Sequence, residues 1–470
     1  MTPRRGAVER DEFDEALSLG NAHLAAPRGE EYGDAFTLDR EEPEPFTAPH
    51  QTHQTHQTHQ AHQAHQAHQA HQAHQAHPHA ATPWPEAHRL ATRAARPLTP
   101  VPRALAQAVG HVLAAPLQSL ADLPPFDTSA MDGYAVAGPG PWQLAEGQGI
   151  LAGAADAATL EDGGAVRIAT GARVPAGATA VVRSEHAAVR ADGTLHARDV
   201  RTGQDIRPRG QECRSGTPLL AAGAEVTPAV AGLAAAAGYD ELSVYPRPRV
   251  EVLVLGEELL HRGLPSGGRI RDALGPMLAP WLHALGADAF VTRRLGDDAE
   301  LLYEAVATST AQLVVTTGGT ADGPVDHVHG TLRRLHADLL VDGVQVRPGH
   351  PMLLARLPNG AHLAGLPGNP LAAVTGLVTL AEPLLRALRG APPRAETRAA
   401  LTEDVTGHPR DTRVVPVAYD GAGRARPLHF TGPAMLRGLA SAQALAVVPP
   451  GGARAGQDAL LLPLPWRTGE

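Results

Sequence analysis

Four stretches of this chain carry residue types and spacings suited to chemistry. Thr316-Thr317-Gly318-Gly319-Thr320-Ala321-Asp322-Gly323-Pro324-Val325-Asp326 sets two adjacent glycines after an apolar run. Glycines there let backbone N–H groups approach an anion, and a helix beginning near Pro324 would add its positive dipole end. Asp326 then stands where a carboxylate could hold a magnesium ion against phosphates, or where the same dipole simply favours an acid. Leu255-Gly256-Glu257-Glu258-Leu259 ends a second apolar run; its glutamates are either solvated or, if the two loops are neighbours, Glu258 is a second ligand beside Asp326. Gly365-Leu366-Pro367-Gly368-Asn369-Pro370, with Arg347-Pro348-Gly349-His350-Pro351 upstream, brackets Gly-Asn between prolines ahead of a helix starting near Pro370. Free N–H groups there suit an oxyanion as well as they suit a rigid helix start. The fourth stretch, Pro125 to Val136, gathers Asp127, Thr128, Ser129, Asp132 and Tyr134, for which a self-capped turn is the simpler reading.

The elements expected around these loops follow from apolar periodicity. Val250–Leu255, Ala289–Thr292 and Leu313–Thr317 are strand-length apolar runs, separated by amphipathic helices over Asp272–Leu285 and Asp297–Thr308. Strand, helix, strand, helix, strand indicates a parallel sheet covered on both faces, with ligands outside the carboxyl ends of its strands. The loops after Leu255 and Thr317 are therefore where a site is expected. Upstream, Leu105–Leu120 has helical spacing before the Pro124-Pro125 break, and an Ala-rich helix over 226–239 ends at Gly238. Short runs punctuated by Gly and Pro give residues 126–215 an all-β character, and short β-like runs recur beyond Gly390.

Composition narrows the chemistry further. The chain has 470 residues, 49 Gly and 42 Pro, and a formal net charge of −9, which gives no global attraction for nucleic acid or a membrane surface. Its 40 basic residues are all Arg, which excludes a Walker phosphate loop, a Schiff-base lysine and a lysine general base. The single cysteine, Cys213, excludes a disulfide framework or a Cys-clustered metal site. Asn occurs only at 21, 359 and 369, so its retention in Gly-Asn-Pro is informative. With no signal peptide and no run of about 18 uncharged apolar residues, a soluble cytoplasmic protein is expected. From His50 to His77 a three-residue His-Gln-Thr, later His-Gln-Ala, repeat occupies a polar segment that cannot bury enough apolar surface to order itself. It reads as a passive tail; in an extended three-residue helix its histidines would share one edge, where a soft divalent metal could bind loosely.

The runs Ser129-Ala130-Met131-Asp132-Gly133-Tyr134-Ala135, Arg167-Ile168-Ala169-Thr170-Gly171-Ala172 and Gly203-Gln204-Asp205-Ile206-Arg207 with Arg209-Gly210 precede the Gly318-Gly319 loop and Gly365–Pro370. In this order they resemble MoeA-type molybdopterin molybdenumtransferases, including the MoeA-like part of gephyrin, over about residues 95–470. The resemblance implies a multidomain α/β plus all-β protein: a central three-layer parallel-sheet α/β domain, a β domain, a helical linking region and a small C-terminal β domain. The boundaries expected are a disordered tail over 1–90, the linking or dimerisation region over 91–127 and 216–247, the β domain over 128–215, the α/β domain over 248–392 and the C-terminal domain over 393–470. It also implies a homodimer whose site lies between the α/β domain of one chain and the β domain of the other. The implied reaction takes adenylylated molybdopterin and molybdate and releases AMP, with no nucleic-acid or membrane partner.

Carried onto this sequence, the resemblance gives Asp132 and Thr170 from the β domain, Glu258 and Asp326 as Mg2+ ligands, and Gly318 and Gly319 against the phosphates. Pro367, Gly368, Asn369 and Pro370 frame the molybdate region, and Glu212 matches an acidic position. Anionic substrates need positive groups, for which Arg207, Arg209, Arg347 and His350 are candidates. Several positions depart from the family pattern: Leu255-Gly256-Glu257-Glu258 has no small hydroxyl residue, Arg271-Asp272-Ala273-Leu274 keeps only its Asp, and Gly319-Thr320-Ala321 and Arg347 to Pro351 are altered. Such changes would also suit a catalytically weakened paralogue that binds pterin or partner proteins as a scaffold.

Overall fold

The computed structural model describes residues 81–147, 149–154, 159–320 and 327–466. The His repeat and Asp326 lie outside the described residues. The α/β domain is built on six strands, β1 (Arg249–Leu255), β2 (Asp288–Leu295), β3 (Leu313–Thr317), β4 (Asp338–Asp342), β5 (Leu353–Arg356) and β6 (His362–Leu366). They lie in the order β2-β1-β3-β6-β5-β4. The first four are parallel, and β5 and β4 add an antiparallel edge. The sheet is thus mixed: the expected parallel part runs from the β2 edge to β6, and the antiparallel pair forms the other edge.

Strand periodicity builds the three layers. Val250, Val252, Val254, Leu313 and Val315 enter one core cluster, whereas Leu253 and Val314 enter the cluster on the opposite face. Helices α1 (Leu274–Ala284) and α4 (Pro370–Gly376) cover the first face; α2 (Ala299–Ala307) and α3 (Val328–Arg334) cover the second. Beyond α4 the helix runs through a π turn, Leu377–Ala381, into Glu382–Leu388. The segment Pro370–Leu388 is long and apolar enough to span a membrane, with mean hydropathy 1.5, but 89% of it is buried inside the protein, as befits a core helix.

Two expectations are corrected outside this domain. The tail does not extend to residue 90: Trp84–Arg93 is a helix whose Trp84, Ala87 and Ala91 join the α/β core. The Trp84 indole N–H donates to Thr379 Oγ on the π turn at 3.0 Å. The linking region is not chiefly helical either. Within Leu105–Leu120 only Leu105–Ala108 is helical, because Gly110 (φ +80°) turns the chain into the short strands Val112–Leu113 and Leu117–Gln118. A three-stranded sheet there packs on the helix Pro228–Ala236, which Thr227 caps by accepting from the Val230 N–H and which ends before Gly238 at φ +101°.

The β domain holds a six-stranded sheet ordered 188–189, 194–196, 142–144, 164–168, 133–136, 180–183. The C-terminal sheet is centred on Thr412–Tyr419, Ala444–Val448 and Asp458–Pro463. It continues into the preceding domain, since Val344–Arg347 pairs in parallel with Thr412–Arg413, and Thr82–Pro83 pairs with Val344–Gln345.

Candidate active site

A cavity of about 520 Å3 opens outside the carboxyl ends of β1, β3 and β6. Glu258, Gly318, Gly319, Gly368, Asn369 and Pro370, from three separate sequence motifs, line it together. The parallel pairing of β1 with β3 and of β3 with β6 brings the three loops to one edge. Gly318 and Gly319 both adopt positive φ, +83° and +65°, a conformation costly for a side-chain-bearing residue. The Gly318 N–H is held by Leu366 O at 2.8 Å. A side chain at Gly368 would begin 3.7 Å from the Gly318 Cα, so these two loops touch. The Glu258 carboxylate folds back over Gly256, 2.5 Å from where a Cβ would stand.

Other lining groups are already engaged. Asp272 is buried; its Oδ1 accepts from the Gly275 N–H at the start of α1, and its Oδ2 accepts from Arg294 Nε and Nη2 at 3.1 and 2.8 Å. Asp298 caps α2 by accepting from the N–H groups of Glu300 and Leu301. The N–H groups expected to be free at the start of α4 are not: those of Leu371 and Ala372 donate to Pro433 O at 2.9 and 3.3 Å. The same C-terminal segment contributes Ala434 and Leu436 to the cavity wall, a contribution no local sequence feature announces. Pro367 does not line the cavity; it faces Gly376 of the helix behind.

The remaining candidates lie elsewhere on this chain. Asp132 and Thr170 meet, the Thr170 N–H donating to Asp132 Oδ1 at 2.7 Å, but on an exposed part of the β domain. Arg209 Nε donates to Asp122 at 2.5 Å, and its backbone N–H donates to Asp127 at 2.7 Å. The Asp122 carboxyl is held below the usual range by the Ser215 N–H and then by Arg209. Arg207 pairs in a short ladder with Thr128, and the Glu212 N–H bonds Leu123 O. Arg347 Nε donates to Asp411 Oδ2 at 2.8 Å, and His350 Nδ1 donates to Val344 O at 2.8 Å. Arg207, Arg209, Arg347 and His350 do not line the cavity of their own chain. The basic groups that do line it are Arg271 and His327.

Residues 82–238 match the MoeA N-terminal region (domain I and II), 251–387 a probable molybdopterin binding domain, and 398–464 the MoeA C-terminal region (domain IV). Molybdopterin molybdenumtransferase 2 of Mycobacterium tuberculosis is 38% identical over 378 residues, 76% of this chain and 92% of that protein. The chain belongs to the MoeA family. The molybdopterin molybdenumtransferase of Staphylococcus aureus is 31% identical over 300 residues, covering 61% of this chain and 71% of its own length. A crystal structure of the MoeA protein of Pyrococcus horikosii superposes with a TM-score of 0.68 at 25% identity, over 82% of this chain and 99% of that one. The MoeA match begins at residue 82, where the first strand of the fold begins.

The donor set of this MoeA cavity suits a hard cation. Glu258 and Asp297 line it with no protein partner among the described residues, and no cluster of three or more His, Cys, Asp or Glu side chains is present among those residues. Two such carboxylates fit magnesium, which takes one or two carboxylates and completes its shell with water and phosphate oxygens.

Proposed function

We propose that this MoeA protein acts in molybdenum cofactor biosynthesis as a molybdopterin molybdenumtransferase, inserting molybdenum from molybdate into adenylylated molybdopterin with release of AMP. The observation that carries this reading is the meeting of Glu258, Gly318–Gly319 and Gly368–Pro370 in one cavity at the carboxyl edge of the sheet. Attack of a water oxygen on the pterin phosphate breaks the phosphoanhydride and leaves negative charge on the departing AMP phosphate, and the dithiolene sulfurs replace oxo ligands of molybdate, which leave as water. Glu258, with Asp326, would hold Mg2+, whose charge neutralises that phosphate when bound. The Gly318 N–H is spent on Leu366 O, so the donors of this loop toward the same anion would be the N–H groups beyond it, beginning with Gly319; one aimed donor of this kind is worth about 2.7–4 kcal/mol of barrier.

The reading includes a homodimer. Asp132 and Thr170 are exposed and absent from the cavity of their own chain, so we place them over the cavity of a second copy. The scaffold alternative is not favoured, because the relatives at 38% and 31% identity carry the transferase name. The test is AMP release from purified protein given adenylylated molybdopterin, magnesium and molybdate. Molybdate-stimulated release that collapses in Glu258→Gln, with unchanged thermal unfolding, is the expected result. Substrate binding without any molybdate-stimulated AMP would overturn the assignment.

A further inference from the structure

The cavity wall is acidic, yet the ligands proposed for it are anions. Its acids are Glu258, Asp272, Asp297 and Asp298, against the bases Arg271 and His327. Asp272 is neutralised by Arg294 and Asp298 is spent on the start of α2, which leaves Glu258 and Asp297 to a cation. Of the arginines that sequence reading assigned to the substrate, Arg209 is tied to Asp122 and Arg347 to Asp411, and Arg207 stands on the β domain off this cavity. Among the described residues no arginine other than Arg271 lines this space.

We propose that Arg271 is the phosphate-binding residue of this cavity, an inference that rests on the function proposed above. Its backbone is held on both sides. The Ile270 N–H donates to Glu258 O at 2.9 Å, and the Asp272 N–H donates to Leu260 O at 3.0 Å. These bonds belong to a parallel pairing of Leu259–Leu260 with Ile270–Arg271, so the residue stands on the same small ladder as Glu258. Its neighbour Asp272 is clamped by Arg294 and by the start of α1. The Arg271 guanidinium, by contrast, has no partner among the described residues. A planar forked head with no competing partner suits a bidentate phosphate contact, and the fixed backbone beneath it confines the ordering to the side chain. A phosphate bridged to a cation on Glu258 would meet that head across one loop. Arg262, on the same loop, does not line the cavity and serves as a control.

Titration calorimetry on the full chain in magnesium, with inorganic pyrophosphate, AMP, molybdopterin and molybdate as separate probes, tests this. Arg271→Ala should weaken pyrophosphate at least tenfold, Arg271→Lys should recover part of that loss, and Arg262→Ala should bind as the unaltered chain does. Thermal unfolding of all three should match the parent. A loss confined to AMP places the guanidinium on the nucleotide phosphate; one confined to molybdopterin places it on the pterin phosphate; either supports the proposal. Phosphate affinities within twofold of the parent would overturn it, as would a loss seen with molybdate alone. In turnover, Arg271→Ala should raise KM for the adenylylated pterin more than it lowers kcat. If the parent chain releases no AMP at all, the functional reading falls, and the pyrophosphate arm still decides the role of Arg271.

Discussion

Asp272 shows how much a residue's partner decides what it can do. From sequence it is the one retained residue of an altered loop, and the structure spends both its oxygens on Gly275 and Arg294. Its side chain is 2% exposed and that of Arg294 is 36% exposed, so the pair is buried on one side only. Asp272→Asn should therefore cost about 1.5 kcal/mol, the low end for hydrogen bonds to a charged group, since Arg294 can still reach water. Urea unfolding measures it, and combining the change with Arg294→Met should give clearly less than the sum of the two single effects. Additive losses would show that the clamp contributes nothing as a pair. Glu258, Gly318, Gly319, Gly368, Asn369 and Pro370 were legible as a group because a parallel sheet delivers its carboxyl-end loops to one edge. Arg294 was not legible, because no local spacing ties a residue on β2 to a loop 22 positions earlier. That Arg347 belongs to a strand paired with Thr412–Arg413 and stands off the cavity of its own chain was not legible for a similar reason.

Among the elements, the helix Trp84–Arg93 departs most from the reading of sequence. It follows directly on a low-complexity tract and carries few large apolar residues, so composition assigns it to the tail. Its Trp84 nevertheless reaches the core and bonds the π turn. Trp84→Ala should cost about 3–5 kcal/mol as a large-to-small change in a packed core. Removing residues 1–80 should leave both AMP release and the thermal midpoint unchanged, whereas a cut after residue 95 should lower the midpoint sharply. Equal effects of the two cuts would show that the helix contributes nothing to the fold. Of the six strands of the α/β domain, Arg249–Leu255 and Leu313–Thr317 were read nearly to the residue because their apolar runs are uninterrupted, Asp288–Leu295 was read short as Ala289–Thr292, and Asp338–Asp342, Leu353–Arg356 and His362–Leu366 were not read as strands. Leu105–Leu120 was misread because a positive-φ glycine at 110 outweighs a helical spacing of apolar residues.

His362, at the start of β6, adds a pH dependence at the same scale. It is 3% exposed, its Nδ1 has no hydrogen-bond partner, and burial pushes its pKa below 6.5. The folded state then binds fewer protons than the unfolded one below that value. The contribution is fully present above about pH 6.5 and is lost as pH falls through the depressed folded pKa. His362→Gln should flatten the fall in stability on the acid side of pH 6.5, read from urea midpoints across pH. An unchanged slope would remove His362 as its source.

At the scale of the whole molecule, one chain is an incomplete catalyst under the reading proposed here. Its cavity is closed by its own C-terminal segment, with Pro433 O on the start of α4, yet Asp132 and Thr170 stand on the β domain away from it. If each site takes its α/β half from one protomer and its β-domain half from the other, two inactive variants must be able to repair each other. Asp132→Ala spoils the β-domain half and Glu258→Gln the α/β half, so each homodimer is inactive. In a mixed dimer both lesions fall on the same site and leave the other intact. After unfolding and refolding an equal mixture, half the dimers are mixed and each carries one good site of two, so AMP release should return to about a quarter of the parent value per protomer. Were Asp132 instead to act within its own chain, mixing would restore nothing, because every site in a mixed dimer would keep one lesion. Subunit exchange confirmed by a mass tag, followed by no recovery, would therefore overturn the shared-site arrangement while leaving Glu258 in the cavity of its own chain.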